Sequence, residues 1–285
     1  MSITSFHTKK VWFITGASTG LGRSLTEVLL KEGYPVAATA RNPSVLESVK
    51  EKFGNQIITP MLDVTKPQEI QEAIDEVIRH FGRIDVVVNN AGYGLIGAIE
   101  EVSHSEIRDQ FETNFFGVLQ VIRAVLPHLR RNQSGHFLTI SSIAGFRGNA
   151  GSGLYNATKF ALEGLSEALS KEVAHLGIKV TIVEPGPFRT DFGGRSIHVT
   201  STVINDYMAS AGQMREYYKT VHGHQAGDPE KAAKAMIRAV ESNSPPLRLP
   251  LGQITLDGMR NKIAQVQKDL ADWEAVAIHS SFTEE

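Results

Sequence analysis

The chain has 285 residues, with 29 Lys and Arg against 31 Asp and Glu, so its formal net charge is −2 with His neutral. It contains no Cys, which excludes disulfides, thiolate zinc sites, iron–sulfur clusters and a Cys nucleophile. The near-neutral balance gives no electrostatic reason to expect nucleic acid or an anionic membrane as a partner. Residues 1–10 are polar and no apolar run approaches a membrane span, so we predict a cytoplasmic protein.

Short β-branched runs alternate with longer segments of helical spacing up to Glu184. The predicted strands are Val11–Thr15, Pro35–Ala40, Ile57–Leu62, Ile84–Asn89, His136–Ser141 and Ile178–Glu184. The predicted helices are Gly20–Gly33, Pro43–Phe53, Pro67–Phe81, Ser105–Arg131 (one long or broken helix) and Gly153–Leu176. The strands are apolar on both faces, which fits a sheet that is covered on both sides. The pattern predicts an α/β fold with an open, doubly wound parallel sheet, the Rossmann fold.

The alternation is lost between Gly186 and Gly227. It returns with a predicted helix over 228–241, in which Asp228 is the N-cap and Pro229 the first helical residue. A short strand over Leu247–Leu251 and a last helix over Gln253–Trp273 follow. No repeat or shift of composition marks a second domain, so we predict a single domain over 1–285 with a core at about 8–185.

Three glycines, Gly16, Gly20 and Gly22, lie where the first strand passes into the first helix. Glycines permit a tight turn, close approach of a phosphate and close packing of helix on strand, and the helix N-terminus attracts a pyrophosphate. Because the cluster follows the first strand of a βαβ unit, it predicts a dinucleotide site. Residues 16–20 also match the G-x-S-x-G pattern of a hydrolase nucleophile elbow, with Ser18 as nucleophile. Against that reading, the motif lies on the first strand and leaves Gly22 unexplained.

Arg41 follows the second strand, 19 residues after Gly22. Proteins that bind NAD usually carry an acid at this distance to hold the ribose 2′-hydroxyl, and no acid lies between Pro35 and Pro43. An Arg pairs with a 2′-phosphate instead. We therefore predict a preference for NADP(H), unless Arg41 is only a solvated charge at the end of a strand.

Tyr155 and Lys159 are four residues apart on a predicted helix and thus share one face. An ammonium beside a phenol favours the phenolate, so Lys159 is expected to lower the Tyr155 pKa. The spacing alone is a common accident, but other polar residues end neighbouring strands, where ligands of open α/β sheets bind. These are Asp63, Asn89–Gly92, Ser142, Pro185-Gly186 and Thr190, with Asn114 in the intervening long helix.

With these residues in order and at these spacings, the chain resembles the short-chain dehydrogenase/reductase (SDR) family over about residues 8–190. The resemblance rests on seven elements: the TGASTGLG turn (Thr15–Gly22), Asp63-Val64, NNAG (Asn89–Gly92), Asn114, Ser142, YNATK (Tyr155–Lys159) and PGPFRT (Pro185–Thr190). It implies an oxidoreductase that transfers a hydride between NADP(H) and an alcohol or ketone.

The resemblance also implies roles for individual residues. Tyr155 would exchange a proton with the substrate oxygen, Lys159 would lower the Tyr155 pKa and hold the nicotinamide ribose, and Ser142 would hydrogen-bond the substrate oxygen. Asn114 would fix a water for proton relay. Asp63 would contact the adenine, Asn90 would steady the sheet behind the cofactor, and Thr190 would hold the carboxamide. The implied cofactor-binding set is Gly16, Ser18, Thr19, Gly20, Leu21, Gly22, Arg41, Asp63, Val64, Asn90, Ala91, Gly92, Tyr155, Lys159, Pro185, Gly186 and Thr190.

This chain departs from the family pattern at one position that bears on cofactor preference. Many family members that prefer NADP(H) have a second basic residue where this chain has Thr19. In this chain, Arg41 alone favours binding of a 2′-phosphate. The resemblance further implies a mobile lid at about 187–225 and a variable extension at about 228–275. It also implies a homo-oligomer, a dimer or a tetramer, through Ser105–Arg131 and Gly153–Leu176.

The lid segment is rich in large apolar and aromatic side chains, which indicate a low-polarity secondary alcohol or ketone as substrate. They are Phe188, Phe192, Tyr207, Met208, Met214, Tyr217 and Tyr218. Alternatively, these residues form the core of two short lid helices. Further candidates for the substrate wall are Leu95, Ile96, Phe146 and Leu154.

Two other functions stay open at this point: a serine hydrolase that uses Ser18, and a catalytically silent regulator that binds NADPH. His222, His224 and Asp228 are the nearest approach to a metal-binding set, but they lie in a Gly-containing segment with no third His close in sequence. We therefore predict no metal.

Overall fold

The computed structural model describes residues 8–282, so residues 1–7 of the polar segment 1–10 lie outside it. It contains nine strands and nine α-helices among these residues. The strands are β1 (Trp12–Ile14), β2 (Val36–Ala38), β3 (Ile57–Ile58), β4 (Val86–Asn89), β5 (Gly94–Ile96), β6 (Gly135–Ile140), β7 (Ile178–Pro185), β8 (Ile197–Val199) and β9 (Arg248–Leu251). The helices are α1 (Gly20–Lys31), α2 (Glu47–Phe53), α3 (Pro67–Phe81), α4 (His104–Phe111), α5 (Gly117–Asn132), α6 (Gly153–Val173), α7 (Gln213–Val221), α8 (Pro229–Glu241) and α9 (Gln253–Ile278).

Seven strands form one parallel sheet in the order β3-β2-β1-β4-β6-β7-β9. The order reverses between β1 and β4, and ligands of such sheets bind outside the carboxyl ends of the strands at that switch point. Side chains alternate along β1: Trp12 and Ile14 join a buried cluster with α1, α2 and α8, and Phe13 joins a second with α3, α5 and α6. The predicted doubly wound parallel sheet is confirmed.

Helix ends agree with the prediction where the sequence carries strong end signals. Helix α3 spans the predicted residues and ends at Gly82, which is left-handed with φ 81°. At α8, the Asp228 side chain accepts hydrogen bonds from the backbone N–H groups of Glu230 and Lys231, as an N-cap does. The last helix runs five residues past its predicted end at Trp273.

Other boundaries differ from the prediction. The regular part of the third strand is only Ile57–Ile58, because Pro60 lacks an N–H and interrupts the ladder. A single bridge between Ala40 and Met61 continues the pairing beyond that proline. The second predicted helix begins as a 3₁₀ turn over Pro43–Leu46.

The segment between β5 and α5 shows how the predicted long helix is broken. Helix α4 passes into a π-helical turn over Glu112–Phe116, which leads directly into α5. A small second sheet was not predicted from the sequence: in it, β5 pairs in parallel with β8 of the predicted lid segment. Among residues 8–282, no helix is both long enough and apolar enough to cross a membrane.

Candidate active site

A cleft of about 1490 Å³ opens at the carboxyl ends of the strands. Two of the predicted site residues, Gly22 and Asn114, lie behind its surface. All the others line it: Gly16, Ser18, Thr19, Gly20, Leu21, Arg41, Asp63, Val64, Asn90, Ala91, Gly92, Ser142, Tyr155, Lys159, Pro185, Gly186 and Thr190. The structure therefore brings residues from six strand ends into one site. The cleft exceeds the several hundred Å³ of an ordinary small-molecule pocket, and so has room for a dinucleotide with a substrate.

The glycine turn at one end of this cleft is tightly held. Gly16 has φ +66°, and a Cβ there would lie 2.9 Å from the Ala91 Cα. Asn90 Nδ2 donates to the carbonyl oxygens of Thr15 at 2.9 Å and Gly16 at 2.8 Å. A Cβ at Gly22 would come within 2.5 Å of the same amide nitrogen. Glycine at these positions thus lets the turn pack directly against the end of β4.

The N-terminus of α1 faces the cleft beside this turn. Within the described chain, its first turn holds no acidic residue and the Thr19 side chain makes no capping hydrogen bond. The first N–H groups of the helix are thus free to bind an anion, and the helix dipole favours negative charge there. These features fit the pyrophosphate of a dinucleotide.

Two charged residues lie where the adenosine end of a dinucleotide would bind. Arg41 is exposed on the cleft and has no hydrogen-bond or ion-pair partner among residues 8–282. Asp63 accepts hydrogen bonds from the Thr65 N–H at 3.0 Å and hydroxyl at 2.8 Å. Burial opposes ionisation of Asp63, but the Thr65 hydrogen bonds and Arg41 lower its pKa overall. The carboxylate is therefore fixed and charged beside a free guanidinium.

Tyr155, Lys159 and Ser142 meet at the other end of the cleft. Tyr155 is 8% exposed and Lys159 is 5% exposed. The Lys159 ammonium donates to the Ile140 carbonyl at 2.7 Å and lies 5.7 Å from the centre of the Tyr155 ring. The Tyr155 phenol and the Lys159 ammonium are thus buried on one face of a helix, beside the Ser142 hydroxyl. Such a group is suited to proton exchange with a bound oxygen.

Burial sets the proton affinities of this pair. It lowers the pKa of Lys159 to about 8, against the opposing attraction of Glu163. It also raises the pKa of Tyr155, against a hydrogen bond with Ser142. The direction for Tyr155 is opposite to the lowering predicted from Lys159, because burial disfavours the phenolate more than its neighbours favour it.

Asn114 lies in the π-helical turn and is fully buried. Its Oδ1 accepts the Tyr93 N–H at 3.0 Å, and its Nδ2 donates to the Tyr93 carbonyl at 2.8 Å. The amide thus pins the backbone after the β4 end, and a Cβ on Gly92 would lie 3.1 Å from its Oδ1. Asn114 therefore holds the backbone behind the cleft surface, on the side of Lys159.

A buried acid pair behind Lys159 was not predicted from the sequence. Glu163 lies one helical turn after Lys159 on α6, and Glu184 lies in β7; they are 6% and 0% exposed. Arg248 of β9 pairs with both, at 2.9 Å from Glu184, and with the more exposed Glu167 at 3.3 Å. The i,i+4 spacing of Glu163 from Lys159 was the available signal. No such signal was available for Arg248 of β9, because 64 residues separate it from Glu184.

This acid pair predicts a pH-dependent stability. Burial and the neighbouring Glu163 raise the pKa of Glu184 from 4.5 to about 7, against the pull of Arg248. Because the folded pKa is raised, the stability that Glu184 contributes is present below about pH 4.5 and is lost as the pH rises through 7. We measure the free energy of unfolding in urea as the pH is raised from about 4.5 to about 8. Over this range, the stability of Glu184→Gln relative to the unchanged protein is expected to increase. Glu172→Gln, at an exposed position of α6, is the control, and a pH-independent difference for Glu184→Gln contradicts the prediction.

The predicted lid segment is tied to the body by one buried ion pair. Glu101 precedes α4, and both its oxygens accept hydrogen bonds from Arg215 of α7, at 2.7 and 3.1 Å. The Glu101 side chain is 0% exposed. It also accepts the backbone N–H groups of Ala98 at 2.6 Å and Ile204 at 2.9 Å. Neither partner was singled out from the sequence, because 114 residues separate them.

The apolar wall of the cleft differs in part from the prediction. Five of the proposed lid residues line the cleft: Phe188, Phe192, Met214, Tyr217 and Tyr218. The Phe192 ring lies 6.0 Å from that of Tyr155. The other candidates, Tyr207, Met208, Leu95, Ile96, Phe146 and Leu154, do not line it. Leu95 and Ile96 are instead buried at 1% exposure, and the Tyr207 hydroxyl donates to Glu100 at 2.6 Å.

The structure gives no support to Ser18 as a nucleophile. A nucleophile elbow holds its serine in a strained turn next to a histidine. Within residues 8–282, the positive-φ residues of this turn are Gly16 and Gly20, and no hydrogen bond joins Ser18 to a His. In the same part of the chain, no group of three His, Asp or Glu side chains is arranged to hold a metal ion.

A glycine turn, a helix N-terminus and a Tyr–Lys–Ser group in one cleft define a nicotinamide-dependent oxidoreductase site. The family model for short chain dehydrogenases matches residues 10–198. The chain therefore belongs to the short-chain dehydrogenase family and is an oxidoreductase.

Curated relatives agree with this assignment. The chain is 41% identical over 244 residues to oxidoreductase BOA17 of Botryotinia fuckeliana, covering 85% of this chain and 89% of the relative. It is 36% identical to 3-ketodihydrosphingosine reductase of Bacteroides thetaiotaomicron, covering 86% and 88%. It is 32% identical to retinol dehydrogenase 8 of Bos taurus, covering 82% and 79%.

Solved structures agree as well. A short-chain dehydrogenase from Streptomyces avermitilis superposes with a TM-score of 0.90 at 39% identity, covering 96% of this chain and 99% of that one. ElxO with NADP bound superposes with a TM-score of 0.72 at 26% identity, covering 88% and 100%.

Proposed function

We propose that the protein is an NADP(H)-dependent carbonyl reductase that acts on low-polarity ketones and their secondary alcohols. The observation that carries the proposal is the nearly dry group of Tyr155, Lys159 and Ser142 at one end of a cleft whose other end holds a free Arg41. The bound nicotinamide supplies the hydride chemistry at its C4. The chain's own residues bind, orient and move the proton.

In this proposal, Tyr155 donates its phenolic proton to the substrate oxygen during reduction and accepts it back during oxidation. Ser142 hydrogen-bonds the same oxygen and stabilises the charge that develops on it. Lys159 provides the positive charge that offsets burial of the phenolate and hydrogen-bonds the ribose hydroxyls. Asn114 holds the backbone and a water next to Lys159, so that the proton is replaced from solvent.

The phosphate groups and the adenosine are assigned to the opposite end of the cleft. The N–H groups of α1 around Gly20 bind the pyrophosphate, and Arg41 binds the 2′-phosphate. Asp63 contacts the adenine, Asn90 holds the glycine turn in place, and Thr190 holds the carboxamide. The NADP of the related ElxO structure supports this cofactor class.

The substrate class follows from the apolar wall. Phe188, Phe192 and Met214 offer no charged partner, and closing them over the substrate excludes water from the hydride step. The relatives named for 3-ketodihydrosphingosine and retinol support a low-polarity alcohol or ketone. A substrate panel tests this: reduction of apolar ketones is expected, and strict preference for charged hydroxy acids contradicts it.

Cofactor preference is tested at Arg41. The unchanged protein is expected to bind NADPH more tightly than NADH in a nucleotide-fluorescence titration. Arg41→Ala is expected to weaken NADPH binding by roughly 10- to 100-fold, since a hydrogen bond to a charged group contributes about 1.5–3 kcal/mol, and to leave NADH binding unchanged. Arg79→Ala, at an exposed position of α3, is the control. Tighter binding of NADH by the unchanged protein removes Arg41 from the assignment.

We also propose that residues 187–225 act as the substrate lid and that the protein is a homo-oligomer. The helices suited to its interface are α5 and α6. Phe160 on α6 and Phe116 just before α5 are each 44% exposed, so they offer apolar contact area to a second copy.

A further inference from the structure

Helix α9 leaves the body of the protein after its first two turns. Thr255, Gly258 and Met259 are buried, whereas every residue from Arg260 to Ile278 is exposed. At 1.5 Å per residue, this free segment is roughly 28 Å long. In proteins, most of the stability of a helix comes from packing of its apolar face rather than from intrinsic propensity, so a long uncovered helix is suited to pack against a partner surface.

One face of the free segment carries an apolar seam, which we define as Ile263, Val266, Leu270, Trp273 and Ala277. The spacings are 3, 4, 3 and 4 residues, the heptad pattern of a coiled coil. Ile263 and Val266 are 46% and 40% exposed, and Leu270 and Trp273 are 67% and 65% exposed. The seam is thus apolar, continuous and uncovered within the described chain.

Charges beside the seam select the partner and its direction. Arg260 and Lys262 flank its beginning, Asp269 lies beside its middle, and Glu274 flanks its end. A parallel pair of α9 helices brings Asp269 of one copy next to Glu274 of the other, which is repulsive. An antiparallel pair brings the basic end of each helix to the acidic end of the other.

We propose that the α9 seam pairs with the α9 seam of a second copy of this chain, as an antiparallel two-helix coiled coil. Only that direction brings Glu274 of one copy next to Arg260 of the other. An anionic membrane is a poorer occupant, because residues 257–274 hold three basic and four acidic side chains.

The mass of the protein in solution tests the pairing. In sedimentation velocity or light scattering, Leu270→Glu/Trp273→Glu is expected to halve the mass of the unchanged assembly. The matched control, Asn261→Glu/Ala275→Glu, adds the same charge to the opposite face of the helix and is expected to keep that mass. Because all four positions are exposed and outside the cleft, NADPH binding verifies that each variant is folded. An unchanged mass for the seam variant, or a monomeric unchanged protein at every concentration, overturns the proposal.

The direction of pairing is tested by charge reversal and by cross-linking. Arg260→Glu/Lys262→Glu is expected to weaken self-association at least tenfold, and adding Asp269→Lys/Glu274→Lys is expected to restore it. Because the chain contains no Cys, single cysteines report the geometry without background. A mixture of Arg260→Cys and Glu274→Cys copies is expected to form disulfide-linked heterodimers. Predominant cross-linking of Glu274→Cys with itself overturns the antiparallel arrangement.

Discussion

Replacing Tyr155 with Phe is expected to lower kcat by roughly 10²- to 10⁴-fold, the usual contribution of a positioned general acid or base. The Phe ring keeps the packing of Tyr155 against Phe192 and removes only the hydroxyl. NADPH binding is therefore expected to stay close to that of the unchanged protein. The measurement pairs NADPH-dependent turnover of the best ketone of the panel with a nucleotide-fluorescence titration.

Tyr218→Phe is the matched control for this substitution. Tyr218 also lines the cleft, so its replacement by Phe removes a buried hydroxyl without removing the proposed acid. If Tyr155→Phe keeps more than about a tenth of the turnover, Tyr155 is not the general acid. If the unchanged protein binds NADPH tightly and reduces no carbonyl compound of a broad panel, the silent regulator becomes the better assignment.

Replacing Arg215 with Met is expected to destabilise the protein by about 3–5 kcal/mol, because Glu101 then keeps a buried charge without its cation. The hydrogen bonds from Arg215 lower the pKa of Glu101 to about 2, despite opposing burial. Since the folded pKa is lowered, the stability from this pair is present above about pH 4.5 and is lost as the pH falls toward 2. Urea unfolding at pH 7 and pH 3 measures both effects.

Lys219→Met on the same helix is the control for Arg215→Met. Lys219 pairs with Glu216 at 2.6 Å, but both side chains are more than 60% exposed, so the expected loss is below about 1 kcal/mol. Equal losses for the two variants contradict the assignment of Glu101 and Arg215 as the anchor of the lid segment. If Arg215→Met loses turnover under conditions in which the variant is still folded, this supports a link between that anchor and the cleft.

Local signals carried most of the fold prediction. Helix α8 was predicted to within one residue, because Asp228 and Pro229 mark a helix start by short-range chemistry. The parallel, doubly wound sheet was predicted from the alternation of strands and helices. The small sheet of β5 and β8 was missed because each strand has three residues and the pairing joins segments about 100 residues apart. The π-helical turn was missed because no residue type marks it.

The same distinction holds for the candidate site: features set by short-range spacing were predictable, and features set by long-range contacts were not. The glycine turn and the Tyr155–Lys159 pair are visible as spacings along the chain. The direction of the Tyr155 pKa shift was not predictable, because it depends on how completely the folded protein excludes water from the phenol. The roles of Glu184, Arg248, Glu101 and Arg215 depend on contacts between distant segments, which a single sequence does not record.

The two ends of the main sheet have a consequence for how copies of this protein meet. Unpaired strand edges invite another chain to add a strand, which leads to aggregation. Here one outer strand, β3, has only two residues. The other, β9, contains Pro250, which has no N–H to donate to an added strand. Both edges are poor templates for strand addition, so we expect any association between copies to use helix surfaces.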